Sequence, residues 1–267
     1  MRRTTTFLLV LVTSLPLAAQ WLGHRDPRIP RTKNGTANLT APAPRLNGKP
    51  DLTGLWEAAR GVRDKQFAAL QIDSYEVSKE AGNIFGNIKP EEEPLRPEAA
   101  AILRQRRASP AEYTHARCLP GSIPLAMLVL TFKMIQTPQE IVMLSETADP
   151  PRQIFIDGRS LPKDPEPSWM GNSVGRWQGD TLIVETNGLN DKGWIDATGH
   201  PRSEAMKITE RYQRRDFGHM NLEIIFDDPK YYTRPFTLKT VVTLVPDSDL
   251  LEYVCAENEK DRIHLPK

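Results

Sequence analysis

The sequence predicts a mainly β protein: an antiparallel meander of about eight to ten strands forming a barrel or barrel-like sheet, with one N-terminal helix and long loops. Two observations carry this prediction. Apolar residues alternate with polar ones in the last hundred residues, for example Leu222, Ile224 and Phe226, which indicates strands with one buried face. No helix of crossover length separates these runs, so we expect neighbouring strands to be antiparallel.

The β-rich runs begin at residue 132 and are separated by Pro, Gly and Asp breaks. A first strand is expected near Trp56. Gln178-Gly179-Asp180 lies between two runs and predicts a tight hairpin. The runs cover residues 132–137, 140–147, 152–157, 173–177, 181–185, 206–215, 219–226, 236–245 and 250–255.

The N-terminal helix is predicted over residues 97–107. Pro97 suits the first helical position, and Glu98 suits the positive end of the helix dipole. Arg106 and Arg107 suit its negative end.

The first twenty residues have the pattern of a secretory signal peptide. Arg2 and Arg3 precede an apolar run over residues 7–17, and small residues follow at Ala18 and Ala19. The run is shorter than the roughly 20 residues that span a bilayer, although an uncleaved anchor is the alternative. We therefore expect a periplasmic or secreted protein with no membrane span after cleavage.

Composition divides the remaining chain in two. Residues 21–50 are rich in Pro, Thr, Asn and Arg with no apolar period, which predicts a flexible tail. Residues 51–267 are expected to form a single β-rich domain.

The net charge is +1, and loss of Arg2 and Arg3 with the signal changes it to −1. Such a near-neutral protein offers no electrostatic basis for binding nucleic acid.

The chain has two cysteines, Cys118 and Cys255. Because export places them where disulfides persist and an even count leaves no orphan, we expect them to pair. The alternative is two separate buried thiols.

The loop 190–204 is the best candidate site, because long loops in compact domains are often functional. Its His200, with Asp191 or Asp196 close by, would have a fixed tautomer and a raised pKa. We therefore assign His200, Asp191 and Glu204 as candidate catalytic groups. Trp194 and Asp196 are candidate ligand contacts. The alternative is a solvated loop in which these residues only make turns and exposed contacts.

Outside this loop the polar residues give weaker signals. Arg176 and Trp177 are added as candidate ligand contacts. Glu210 and Arg211 are expected to form cross-strand charge pairs on the solvent face. The five histidines show no metal-ligand spacing, and the chain lacks the nucleophile-elbow, phosphate-loop and dinucleotide-binding motifs. We therefore expect no cofactor and no metal site; a metal held by residues far apart in sequence is the alternative.

Two resemblances follow from local motifs. Gly54-Leu55-Trp56 is similar to the Gly-x-Trp mark of lipocalins, which implies a ligand-holding barrel. Residues 118–258 resemble a large family of secreted bacterial proteins of unknown function. The matching motifs include Cys118-Leu119-Pro120, Ser173-Val174-Gly175-Arg176-Trp177 with Gly179-Asp180-Thr181-Leu182, and Gly199-His200-Pro201. Family members often carry histidine where this chain has Arg202 and Lys207, so no multi-histidine site is expected here.

The functional hypothesis is an exported protein whose lipocalin-like barrel binds a small apolar or aromatic molecule. Two alternatives stay open. One is an extracytoplasmic, cofactor-independent hydrolase, lyase or isomerase that uses the acid/base groups of the 190–204 loop. The other is a structural or interaction module.

Overall fold

The computed structural model describes residues 25–59, 78–109, 112–147 and 149–255, so the predicted signal peptide lies outside the described residues. Within these ranges nine strands form a closed barrel. They follow one another round the barrel in chain order: β3 (Gly54–Ala58), β4 (Phe132–Gln136), β5 (Glu140–Ser145), β6 (Arg152–Phe155), β7 (Asn172–Gln178), β8 (Thr181–Asn187), β9 (Lys207–Arg214), β10 (His219–Asp227) and β11 (Phe236–Leu244).

The predicted barrel is confirmed, and the alternation of buried and exposed residues along its strands explains why it forms. On β10, the buried residues Leu222, Ile224 and Phe226 alternate with more exposed ones, so one face of the strand points to the interior. Pairing of β11 with β3 closes the barrel, with Leu244 opposite Trp56. Because closure pairs the first barrel strand with the last, neither is left as a free edge.

The expectation of purely antiparallel neighbours is wrong at one pair. Strands β6 and β7 are parallel, with Ile154 opposite Ser173. The connection over residues 156–171 runs back along the barrel without a helix or strand of its own. A crossover needs length rather than helicity, and this proline-rich segment supplies it.

The last predicted strand is also wrong, since residues 250–255 are irregular. Leu251, Tyr253 and Val254 are exposed. The closed barrel offers no edge with which this run could pair.

The predicted disulfide is confirmed: Cys118 and Cys255 are bonded, with their Cα atoms 5.6 Å apart.

The predicted helix is confirmed as Pro97–Ala108. It lies in the long excursion between β3 and β4, which also contains the short helices Lys79–Gly82 and Leu125–Leu128. All four side chains of Leu125–Leu128 are buried, so this helix belongs to the core. In the described part of the chain, no helix is long and apolar enough to cross a membrane.

Residues 25–50, for which composition predicts a flexible tail, make specific contacts with the barrel. The backbone N–H groups of Phe217 and Gly218 donate to carbonyls of this segment, both at 2.7 Å. Arg31 forms an ion pair with Asp247. The segment also contains a two-stranded hairpin of β1 (Arg45–Leu46) and β2 (Lys49–Pro50). It therefore covers the end of the barrel where β9 and β11 finish.

Arg214 fixes the same end from inside. Its guanidinium lies 4.9 Å from the centre of the Trp56 ring, a cation–π distance. It also donates to the backbone carbonyls of Asp51, Asp216 and Phe217. The Arg214 side chain thus joins β9, β3 and the residues that precede β3.

Candidate functional site

The loop between β8 and β9 extends from the other end of the barrel. It begins after Asn187 and ends before Lys207. Asp196 organises it, since its carboxylate accepts hydrogen bonds from the backbone N–H groups of Gly199 and His200 at 3.1 and 3.2 Å. Gly199 has a φ of +101°, a conformation that glycine adopts readily. This tight turn directs the His200 ring back towards Asp196.

His200 lies between two carboxylates. Its Nδ1 is 2.5 Å from Asp196 Oδ2, and its Nε2 is 3.1 Å from Glu93 Oε2. Glu93 belongs to the segment that precedes the helix Pro97–Ala108. The His200 side chain is fully buried, and the Phe85 ring packs against it in a T-shaped arrangement with ring centroids 4.9 Å apart.

The two carboxylates determine the charge of this ring. Burial lowers the pKa of His200, but Asp196 and Glu93 outweigh burial and raise that pKa to about 9. Burial alone would raise the pKa of Asp196, yet His200 and the Ile84 N–H and Thr198 hydroxyl hold it below its usual value. At neutral pH the ring is therefore an imidazolium that donates at both nitrogens.

This arrangement joins two parts of the chain that are distant in sequence. Asp196 also accepts from the backbone N–H of Ile84 at 2.9 Å, and the N–H of Ala197 donates to the Ala81 carbonyl. Because both ring nitrogens of His200 are bound to carboxylates, neither faces a substrate in this state. The cluster holds the excursion against the loop.

The other predicted catalytic residues do not meet His200. Asp191 and Glu204 are both exposed, so the structure does not bring the three together. The carboxylates at His200 are Asp196 and Glu93. Asp196 is one of the two carboxylates expected beside the ring and was also predicted as a ligand contact, whereas sequence reasoning missed Glu93.

The predicted ligand contacts are also dispersed. Trp194 is buried and packs on Tyr113, while the Arg106 guanidinium lies 5.1 Å from the centre of its ring. Arg176 and Trp177 lie on β7 near the hairpin turn, at the opposite end of β8 from the loop. Arg176 is exposed and pairs with Glu185, so it lines no common site with Trp194.

A second polar cluster lies inside the barrel. The Arg152 guanidinium on β6 forms a bidentate ion pair with the Glu210 carboxylate on β9. The expectation that Glu210 faces solvent is wrong, because its side chain is fully buried. Arg211, its neighbour, is exposed and lies 3.9 Å from Glu223. Alternation along β9 puts Glu210 on the same inward face as Ile208 and Tyr212.

The Arg152–Glu210 pair is fully hydrogen-bonded. Arg152 also donates to the hydroxyls of Ser173 and Thr186 at 3.0–3.2 Å. The Tyr212 hydroxyl donates to Glu210 Oε1 at 2.6 Å. These partners satisfy a charged pair that would otherwise be costly to bury.

An apolar pocket adjoins this pair. Its walls come from the helix Leu125–Leu128 and from β4, β5 and β6. Met127, Met143 and Met170 are among the lining residues, and Arg152 is the charged one. The space open to water measures about 10 Å³, the room of roughly one water molecule.

Arg202 links the predicted loop to the walls of this pocket. It donates to Ser122 Oγ at 2.5 Å and to the Trp169 carbonyl at 3.3 Å, and these residues precede the pocket residues Ile123 and Met170. It also donates to the backbone and side-chain oxygens of Asn190. Burial lowers the pKa of this guanidinium, since its partners are neutral.

No family model, curated protein or solved structure matches this chain. Among the described residues, no group of three or more His, Cys, Asp or Glu side chains is arranged to hold a metal ion.

Proposed function

We propose that this protein is an exported binding protein for a small apolar or aromatic molecule, with its site inside the barrel beneath the helix Leu125–Leu128. The observation that carries the proposal is the apolar pocket beside Arg152. Concave apolar sites with a few polar groups, often at the mouths of β-barrels, are the usual form of small-molecule sites.

Three methionines make this pocket adaptable. Met127, Met143 and Met170 are flexible and polarisable, so they can repack around ligands of different shape. In its present state the pocket admits about one water molecule. Binding a larger molecule therefore requires these side chains, or the helix that carries Met127, to move outward.

Two features support export. The Cys118–Cys255 disulfide suits an oxidising compartment, and the first twenty residues have the pattern of a signal peptide. Secretion of the full chain should give a mature protein that begins near residue 21, measured by intact mass. Retention of residues 1–20 would contradict this part of the proposal.

Pocket-enlarging variants test the binding site. Met143→Ala removes a lining side chain and should increase the thermal shift produced by benzene or indole, because a larger apolar cavity accepts such probes. Met134→Ala is the matched control. Met134 lies on β4 directly opposite Met143 of β5, and it is buried but does not line the pocket. Equal shifts in the two variants would contradict the assigned site.

A second candidate function rests on the convergence of His200, Asp196 and Glu93 within hydrogen-bond distance. Acid/base catalysis by His200 requires a substrate group to displace Glu93 from Nε2. A screen of model esters and glycosides against the wild type and His200→Asn tests it. Turnover that survives in His200→Asn would exclude this role.

A further inference from the structure

We propose that the barrel pocket selects an uncharged ligand and rejects carboxylates, because the buried Arg152 guanidinium already has its counter-ion and its hydrogen-bond acceptors within the protein. This inference rests on the proposed binding function and assigns the chemical class of the ligand.

The hydrogen bonds of Arg152 account for all three of its side-chain nitrogens. Nε donates to Ser173 Oγ at 3.2 Å. Nη1 donates to Glu210 Oε1 at 2.9 Å and to the Sδ of the pocket residue Met143 at 3.9 Å. Nη2 has Ser173, Thr186 and Glu210 as acceptors. A buried arginine beside an apolar pocket usually suggests an anion site, but this one has no nitrogen without a partner.

The charge balance leads to the same conclusion. Arg152 and Glu210 form one ion pair with both side chains buried, and the Tyr212 hydroxyl further engages the Glu210 carboxylate. The remaining polar residue of the pocket, Ser145, has its hydroxyl 2.5 Å from that of Thr147. An incoming carboxylate would lose its hydration and meet a pair with no net charge, so its own charge would stay buried without a partner.

Matched neutral and anionic probes test this selectivity. We would measure the binding of 1-octanol against octanoate, and of benzyl alcohol against benzoate, by calorimetry on the mature, disulfide-bonded protein. The neutral member of each pair should bind at least about tenfold more tightly, because the anion lacks a partner. Glu210→Gln removes the counter-ion of Arg152, so octanoate and benzoate should gain at least about tenfold in affinity.

A second variant keeps the test informative if Glu210→Gln does not fold. The double variant Arg152→Met/Glu210→Leu replaces the ion pair by apolar side chains, which is often tolerated, and should keep the preference for alcohols. Stabilisation of Glu210→Gln by octanoate, read as a larger thermal shift than in the wild type, would also support the inference.

The outcomes separate the two proposals. If octanoate binds the wild type as tightly as 1-octanol does, the inference is overturned while the binding function stands. If carboxylate binding does not improve in folded Glu210→Gln, Arg152 is not the selective group. If no probe binds the wild type or Met143→Ala, the binding function fails and the inference with it.

Discussion

Raising the pH should weaken the fold through His200. The pKa of this ring is about 9 in the folded protein, against an ordinary value of 6.5. Since each pKa unit corresponds to about 1.4 kcal/mol, the difference amounts to about 3 kcal/mol of stability. Because the folded pKa is raised, this contribution is fully present below pH 6.5 and is lost as the pH rises through 9.

The assay is denaturant unfolding at a series of pH values from 6 to 10, with the disulfide intact. Other groups also titrate in this range. The informative quantity is therefore the difference in the free energy of unfolding between the wild type and His200→Asn, whose side chain cannot carry the charge. That difference should shrink by about 3 kcal/mol between pH 6 and pH 10. Glu93→Gln removes one of the carboxylates and should move the loss to lower pH.

A constant difference between the wild type and His200→Asn across this range would refute the reasoning. It would mean that the ring is neutral in the folded protein, or that its charge is equally stabilised after unfolding. Direct titration of the His200 ring by NMR separates these two cases, because only the first gives an ordinary or lowered pKa.

Three further outcomes are expected. Cys118→Ser should lower the free energy of unfolding by up to about 4–5 kcal/mol, the chain-entropy limit for so long a loop; a loss below about 1 kcal/mol in urea titrations would contradict this. Arg214→Met should cost about 2–4 kcal/mol by removing the contact with Trp56 and buried hydrogen bonds, whereas exposed Arg176→Met should change stability by less than about 0.5 kcal/mol. Met127→Ala should lower the free energy of unfolding by about 2–5 kcal/mol in the absence of ligand. Saturating indole should restore part of that free energy in the same urea titration.

The barrel was predictable because it follows from local alternation. Each strand shows its buried face within a few residues, as β10 does, and the hairpin at Gly179 shows its turn. The parallel pair was not predictable on this basis, since it depends on the path of a long irregular connection. The hairpin β1–β2 did carry a signal, because Asn47-Gly48 favours a tight turn.

The candidate site was predictable in part. His200 and Asp196 are neighbours in sequence, so their contact is local. Glu93 reaches His200 from more than a hundred residues away, and no short-range pattern identifies such a partner. Glu210 did carry a signal: it interrupts an apolar face between Ile208 and Tyr212, and a charged residue at such a position predicts a buried partner.

Closure of the barrel by β3 and β11 has a consequence for the order of synthesis and folding. Trp56 cannot meet Leu244 until nearly all of the described chain has been made. Contacts of such high sequence separation form slowly, and until they form β3 and β11 each keep an unpaired edge open to other chains. A truncated chain that lacks β11 should therefore aggregate rather than form a smaller barrel, and a chain that is held unfolded until its C-terminal strand has been made avoids that risk.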